Sequence, residues 1–194
     1  MSGRAVIRPA PGTVHVWYGV GGERATRRAD VALLDREEKL RGARIAHEEQ
    51  RIWFLSARAG ARRALAEHLR IAPERVGLRW DPASDFRAAR LTGEPGTGAP
   101  VVAVVHRDHR WLLALAPYGP LALAVGAPAE QPAPPRPPDA TARLRTLARL
   151  TATARSPHLP RTALAVVDLP DHDLAPAALA HPAALGRVHC HGGP

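Results

Sequence analysis

Residues 106–111 read His-Arg-Asp-His-Arg-Trp, a run of titratable and cationic side chains ending on an indole. His106 and His109 flank Asp108, and imidazoles that titrate near neutrality beside a carboxylate are candidate general acid–base groups. Arg107, with Arg110, has the planar fork that holds a carboxylate, a phosphate or an enolate oxygen. Trp111 and Tyr118 are candidate walls for a cleft, although aromatic side chains on strands more often serve as core. Leu123, Val125 and Leu147 would make the rest of such a cleft apolar, the setting in which a few polar anchors orient an apolar ligand.

Other constellations carry less. Arg58 and Arg62 stand one helical turn apart and could meet an anion, but an exposed helix face is the simpler reading, as it is for Glu48-Glu49. Asp171-His-Asp173 and His189-Cys-His191 contain the residue types of metal ligands, yet each cluster is short and isolated, and no metal is expected there. Cys190 is the single cysteine, which excludes an internal disulfide and a multi-cysteine zinc site.

The elements that would position these groups follow from local pattern. Thr13 to Tyr18 alternates and is rich in β-formers, so a strand is expected after a flexible N-terminus (residues 1–12), followed by loop from Gly19 to Ala29. Asp35 with Glu38 has the spacing of a capping box and opens a helical region expected to run to Leu69, with Leu40, Ala43, Ile52, Leu55, Ala59, Leu65 and Leu69 as its buried stripe and Gly60 as a break or kink. Gly77 to Trp80 reads as a short strand and Asp81 to Pro100 as an irregular excursion. Val101–Val105, Trp111–Leu115 and Leu121–Val125 read as an antiparallel meander. Residues 126–139 hold six prolines and describe a stiff linker. A helix over Ala140 to Arg155 and a strand over Thr162 to Asp168 follow, then a weakly specified tail over residues 169–194.

The chain has 194 residues, 45% hydrophobic and 23% charged, with no apolar run near the ~20 residues that span a bilayer and no signal-peptide pattern, so a cytoplasmic protein without membrane contact is expected. The formal charge is +9, and since Lys39 is the only lysine among 27 basic residues, 26 are arginines. With abundant Ala and Pro this is the bias of a GC-rich genome. The arginines are scattered without aromatic interleaving or a groove-reading motif, so nucleic acid is not expected as a partner.

Several of these segments together carry a resemblance. Val14 to Tyr18 fits an opening strand, Leu34-Asp-Arg-Glu-Glu38 fits an "L-x-x-x-E" helix start, and Arg51, Phe54, Arg58, Arg62, Leu65 and Leu69 fit an "R-x-x-F-x-x-x-R-x-x-L-R-x-x-L" helix. Ala72 to Gly77 fits the segment after it. The run from Val101 to Val125 resembles "F-N-x-S-H-S … W-x-L-x-A … G-V-D-I-E". In order and spacing, residues 13 to 168 resemble the surfactin-synthetase-activating type of 4'-phosphopantetheinyl transferase. The resemblance implies an α+β fold of two pseudo-symmetric lobes: residues 13–125 forming the first lobe and the start of the second-lobe sheet, and residues 140–168 a shortened second lobe. It also implies an activity, transfer of phosphopantetheine from coenzyme A to a carrier-protein serine with magnesium.

The departures fall on that chemistry. The family's acidic pair lands on Leu123 and Val125, which have no oxygen to hold a hard divalent cation. Its "G-K-P" is Gly93-Glu94-Pro95, and its "S-H-S" is Val105-His106-Arg107. Thr146 and Leu147 stand where a lysine and glutamate belong. The leading expectation is therefore a repurposed, cofactor-independent tailoring enzyme, a cyclase, pericyclase or isomerase, that holds an apolar polyketide-type molecule in a reactive geometry. A functional transferase and a non-catalytic partner of an acidic carrier protein are the alternatives.

Overall fold

The computed structural model describes residues 9–10, 13–20, 28–82, 87–92, 99–107, 109–117, 121–125, 165–169, 177–181 and 187–192. The linker over 126–139, the expected helix over 140–155, Asp108, Tyr118, Leu147, Gly93 to Pro95 and Asp171 to Asp173 lie outside them.

The protein is mixed α+β. Strand β1 (Thr13–Val20) is followed by helices α1 (Arg28–Leu33), α2 (Arg36–Ala43) and α3 (Glu48–Leu69) and a 3-10 turn at Pro73–Arg75. Then come β2 (Leu78–Trp80), β3 (Ala88–Leu91), β4 (Val101–Arg107), β5 (Arg110–Ala116), β6 (Ala122–Val125), β7 (Ala165–Leu169), β8 (Ala177–His181) and β9 (Arg187–Gly192). Six strands form one sheet in the order β2-β3-β4-β5-β1-β9; all its pairings are antiparallel except β9, which lies parallel to β1. The other three form an antiparallel sheet in the order β6-β8-β7.

Strand alternation sorts the core into two layers. Trp17, Val102, Val104, Trp111, Leu113 and Leu115 point to one face and pack with Ala57, Ala61, Leu65 and Leu69 of α3. Val14, Val16, Val101, Ala103, Leu112, Ala114 and Ala116 point to the other and pack with Leu121 and Leu123. Leu65, Leu113, Leu115 and Leu121 are fully buried, each worth roughly 1.5–3 kcal/mol of transfer free energy.

Several expectations need correction. The helical region over 35–69 is two helices, broken at residues 44–47, so a single apolar stripe has no continuous face to follow; Leu40 and Ala43 are exposed rather than buried. Gly60 neither breaks nor kinks the second of them: α3 runs through it for 22 residues, about 33 Å. A methyl group on Gly60 would stand 2.7 Å from the Trp111 ring, and one on Gly19 would stand 2.3 Å from it, so both glycines make room for the indole. The excursion over 81–100 contains β3, which bridges β2 and β4. β6 leaves the meander and pairs with β8, and the tail contributes both β8 and β9. The strand expected over 162–168 is β7, shifted toward the C-terminus.

Candidate functional site: the outward face of the second helix

α2 is built inside out. Asp35 caps it: its Oδ1 accepts from the Glu38 amide at 2.8 Å, and Glu38 Oε2 accepts in return from the Asp35 amide at 3.0 Å, the reciprocal pair that the sequence spacing predicts. Glu38 is only 1% exposed, a costly place for a carboxylate unless its oxygens are met. They are. Arg62 of α3 donates Nε to Glu38 Oε2 at 2.9 Å and its NH2 group to Asp35 Oδ2 at 2.8 Å, while its NH1 group donates to the Val76 carbonyl. Trp80 Nε1 donates to Glu38 Oε1 at 3.1 Å. On the neighbouring turn of α3, Arg58 lies over the Trp80 ring at 3.7 Å from its centroid and over Phe54 at 4.9 Å. Arg63 donates to Asp30 of α1. Expected on an exposed face, Arg58 and Arg62 are instead buried, and the anion that Arg62 meets belongs to the protein itself.

With Glu38 and Gly42 turned inward, Leu40 turns outward. It is 50% exposed, and Val20 is the other large apolar side chain that stands out among the described residues. Leu40 sits in a shallow groove of about 330 Å³ lined also by Arg36, Glu37, Arg41 and Arg44. Arginine stems extend such an apolar patch while their guanidinium groups reach water. An isobutyl group whose rim holds three arginines against one glutamate offers a seat to an apolar side chain carried among carboxylates.

Of the residues singled out from sequence, those that are described lie in more than one part of the fold. His106 and Trp111 are cross-strand partners on β4 and β5, facing α3; the His106 ring lies edge-on to Phe54 at 6.1 Å, and Trp111 is core, wedged against Gly19 and Gly60. Leu123 is 5% exposed in the aliphatic layer on the opposite face, so the whole sheet stands between it and His106. Val125 is on β6, paired with Ala177. Arg107 is exposed at the end of β4, paired with Arg110, and His109 is exposed in the turn between them. His189 and His191 of β9, expected in a weakly specified tail, stand beside β1. Among the described residues no group of three His, Cys, Asp or Glu side chains is placed to hold a metal ion, and no helix is long and apolar enough to cross a membrane.

Sequence reasoning missed the groove because it assigned Leu40 to the core. One signal was available: in α2, Glu38 is both the N3 partner of the cap and part of the "L-x-x-x-E" pattern, and a carboxylate fixed inward leaves Leu40 two residues on, about 200° away around the helix. Neither comparison with known proteins, against family models or against curated sequences, gives a match.

Proposed function

We propose that this chain is a non-catalytic docking protein that binds an acidic, amphipathic helix of a carrier protein through the Leu40 groove, on a scaffold resembling the phosphopantetheinyl transferases. The observation that carries the reading is the half-exposed Leu40 set among three arginines, Arg36, Arg41 and Arg44, and one carboxylate, Glu37, on a helix whose other carboxylate, Glu38, is locked inside. A formal charge of +9 supports it by favouring encounter with acidic partners, an attraction that salt screens. So does the fate of the motif residues that carry the resemblance: Glu38, Phe54, Arg58, Arg62, Leu65 and Leu69 are all buried, and Glu38 and Arg62 form the clamp that holds α2 in place. The pattern survives where it builds the scaffold and departs where the family binds magnesium and coenzyme A.

This reading is preferred to a cyclase, pericyclase or isomerase because, among the described residues expected to form that pocket, His106 and Leu123 lie on opposite sides of the six-stranded sheet, and Leu123 is packed in a cluster with Val14, Val16 and Ala103. It is preferred to transferase chemistry because aliphatic residues at 123 and 125 give magnesium no ligands.

Isothermal titration with an acidic carrier protein at low and high salt tests the proposal. Binding in the micromolar range that weakens at least tenfold with Leu40→Asp, and again with Arg36→Glu plus Arg44→Glu, is the expected result. Binding indifferent to Leu40→Asp, or no binding at low salt, would overturn it. Incubation of the same carrier with coenzyme A and magnesium, followed by mass spectrometry, is expected to leave the carrier unmodified; a phosphopantetheine adduct would establish transferase activity instead.

A further inference from the structure

On the α3 side of the sheet, at the edge away from β2, four imidazoles and an indole form a stack. His15 of β1 pairs across the parallel register with His189 of β9, and Trp17 pairs with His191. Because these positions alternate with Val14, Val16, Val188 and Cys190, all four rings project to the same face, and His68 from the last turn of α3 closes over them. The His15 ring is 4.6 Å from His68, 5.2 Å from His189 and 5.4 Å from His191; the Trp17 ring is 5.0 Å from His191 and 5.3 Å from His68.

We propose that this histidine cluster is an acid-sensitive latch that holds β9 on the edge of the six-stranded sheet, and that protonation releases β9 from β1. β9 ends the strand order, so β1 is its single neighbour among the described strands. Its side-chain anchors on the α3 face are His189 and His191. His15 Nδ1 and His191 Nε2 stand 3.1 Å apart, a distance at which one nitrogen must carry the proton and the other must not. When both rings are imidazolium the two N–H groups confront one another. His68 Nε2 is buried and meets no hydrogen-bond partner among the described residues, so a proton there would be a charged donor with nothing to receive it.

Among the described residues, the titratable groups facing the latch are His15 on β1, His68 and Glu67 on α3, and His189 and His191 on β9, with Glu67 the carboxylate among them. Burial first, then repulsion from His68, His191 and His189, lowers the His15 pKa from 6.5 to about 4. Burial also lowers His68 and His191, the latter opposed by Glu67. With folded values below the free value, the released state binds protons more readily, so the latch is closed above about pH 6.5 and weakens as the pH falls toward 4.

Amide hydrogen exchange of the full chain at pH 7.5 and pH 5, corrected for intrinsic rates, tests this. Protection across residues 187–192 and along β1 is expected to fall about tenfold at pH 5, a figure discounted for the partial exposure of the rings, while β4 and β5 stay protected. His15→Gln with His191→Gln should remove the pH dependence. If that pair does not fold, His68→Gln, which leaves both strands intact, should reduce it. Equal protection at the two pH values, an unchanged pH dependence in the variants, or loss of protection in β4 and β5 together with β9 would each overturn the latch.

Discussion

α3 grips the rest of the molecule through two polar clusters of opposite logic. At Arg62 it meets unlike charges: the guanidinium touches Glu38, Asp35 and the Val76 carbonyl, so ionisation is what makes the contact. Less than two turns further on, at His68, it meets like groups: four imidazoles that tolerate each other only while most are neutral. The first fixes α2 and the β2 edge of the sheet, where Trp80 joins the network. The second fixes the far edge, β9. One helix therefore holds one edge of its sheet by a permanent contact and the other by a conditional one.

Breaking the clamp should have the largest effect. Glu38→Ala leaves Arg62 buried at 3% exposure with its charge half-compensated, and loss of one partner of a buried pair costs about 3–5 kcal/mol. Urea unfolding followed by circular dichroism should show a drop of that size. Glu38→Leu combined with Arg62→Met, which leaves neither charge behind, should cost distinctly less. If the double variant is as unstable as the single one, the clamp matters for its shape rather than its charges.

Next in size is Gly60, where α3 presses on the sheet beside the first cluster. Gly60→Ala places a methyl group within 2.7 Å of the Trp111 ring, whose other side is closed by Gly19. Overpacking of this kind typically costs about 1–3 kcal/mol. Since α3 carries both clusters, the variant should also lower hydrogen-exchange protection in β9; intact protection there would show that the two edges are held independently.

How much of this was legible in the sequence depended on range. The capping box at Asp35 and Glu38 is a four-residue pattern and was read correctly, as were the strands of β1, β4 and β5, whose alternation is local. The burial of Arg58 and Arg62 was not legible, because a buried arginine needs partners, and these come from Glu38, 24 residues earlier, and from Trp80. The histidine cluster joins His15 to His191 across 176 residues, and its one local trace was the His-Cys-His alternation, which puts two imidazoles on the same side of any strand. β6 reads as a strand from its own residues, but nothing in them says that its partner is β8 rather than β5. Of the candidate site, His106 and Leu123 were assigned to one cleft, but His106 is on β4 and lies against Phe54 of α3, whereas Leu123 is on β6 of the other sheet and packs against the opposite face of β4 and β5, a long-range arrangement that no local pattern shows.

The contrast between the clusters is sharpened by pH. With His15 lowered to about 4 and His68 and His191 also lowered, the urea midpoint should be highest above about pH 6.5 and decline as the pH falls through 4, since the unfolded chain takes up protons that the folded cluster refuses. His15→Gln should flatten that decline by removing the most perturbed ring. A decline equally steep in His15→Gln would place the acid sensitivity elsewhere in the chain.

The smallest stability change is expected where ordinary amphipathic logic would put a large one. A leucine in a helix stripe normally costs about 2–5 kcal/mol when truncated or charged, because a packed cavity is left behind. Leu40 is half exposed on a helix whose inward positions are Glu38 and Gly42, so Leu40→Asp should change the urea midpoint by no more than about 0.5 kcal/mol equivalent. Two residues apart on one turn, the glutamate would then behave as core and the leucine as surface. A loss of several kcal/mol from Leu40→Asp would mean that α2 packs its leucine after all, and the groove proposed for an acidic helix would lose its floor. A near-silent variant that no longer binds the carrier would separate the two duties of α2, with its inward carboxylate holding the fold and its outward leucine free for a partner.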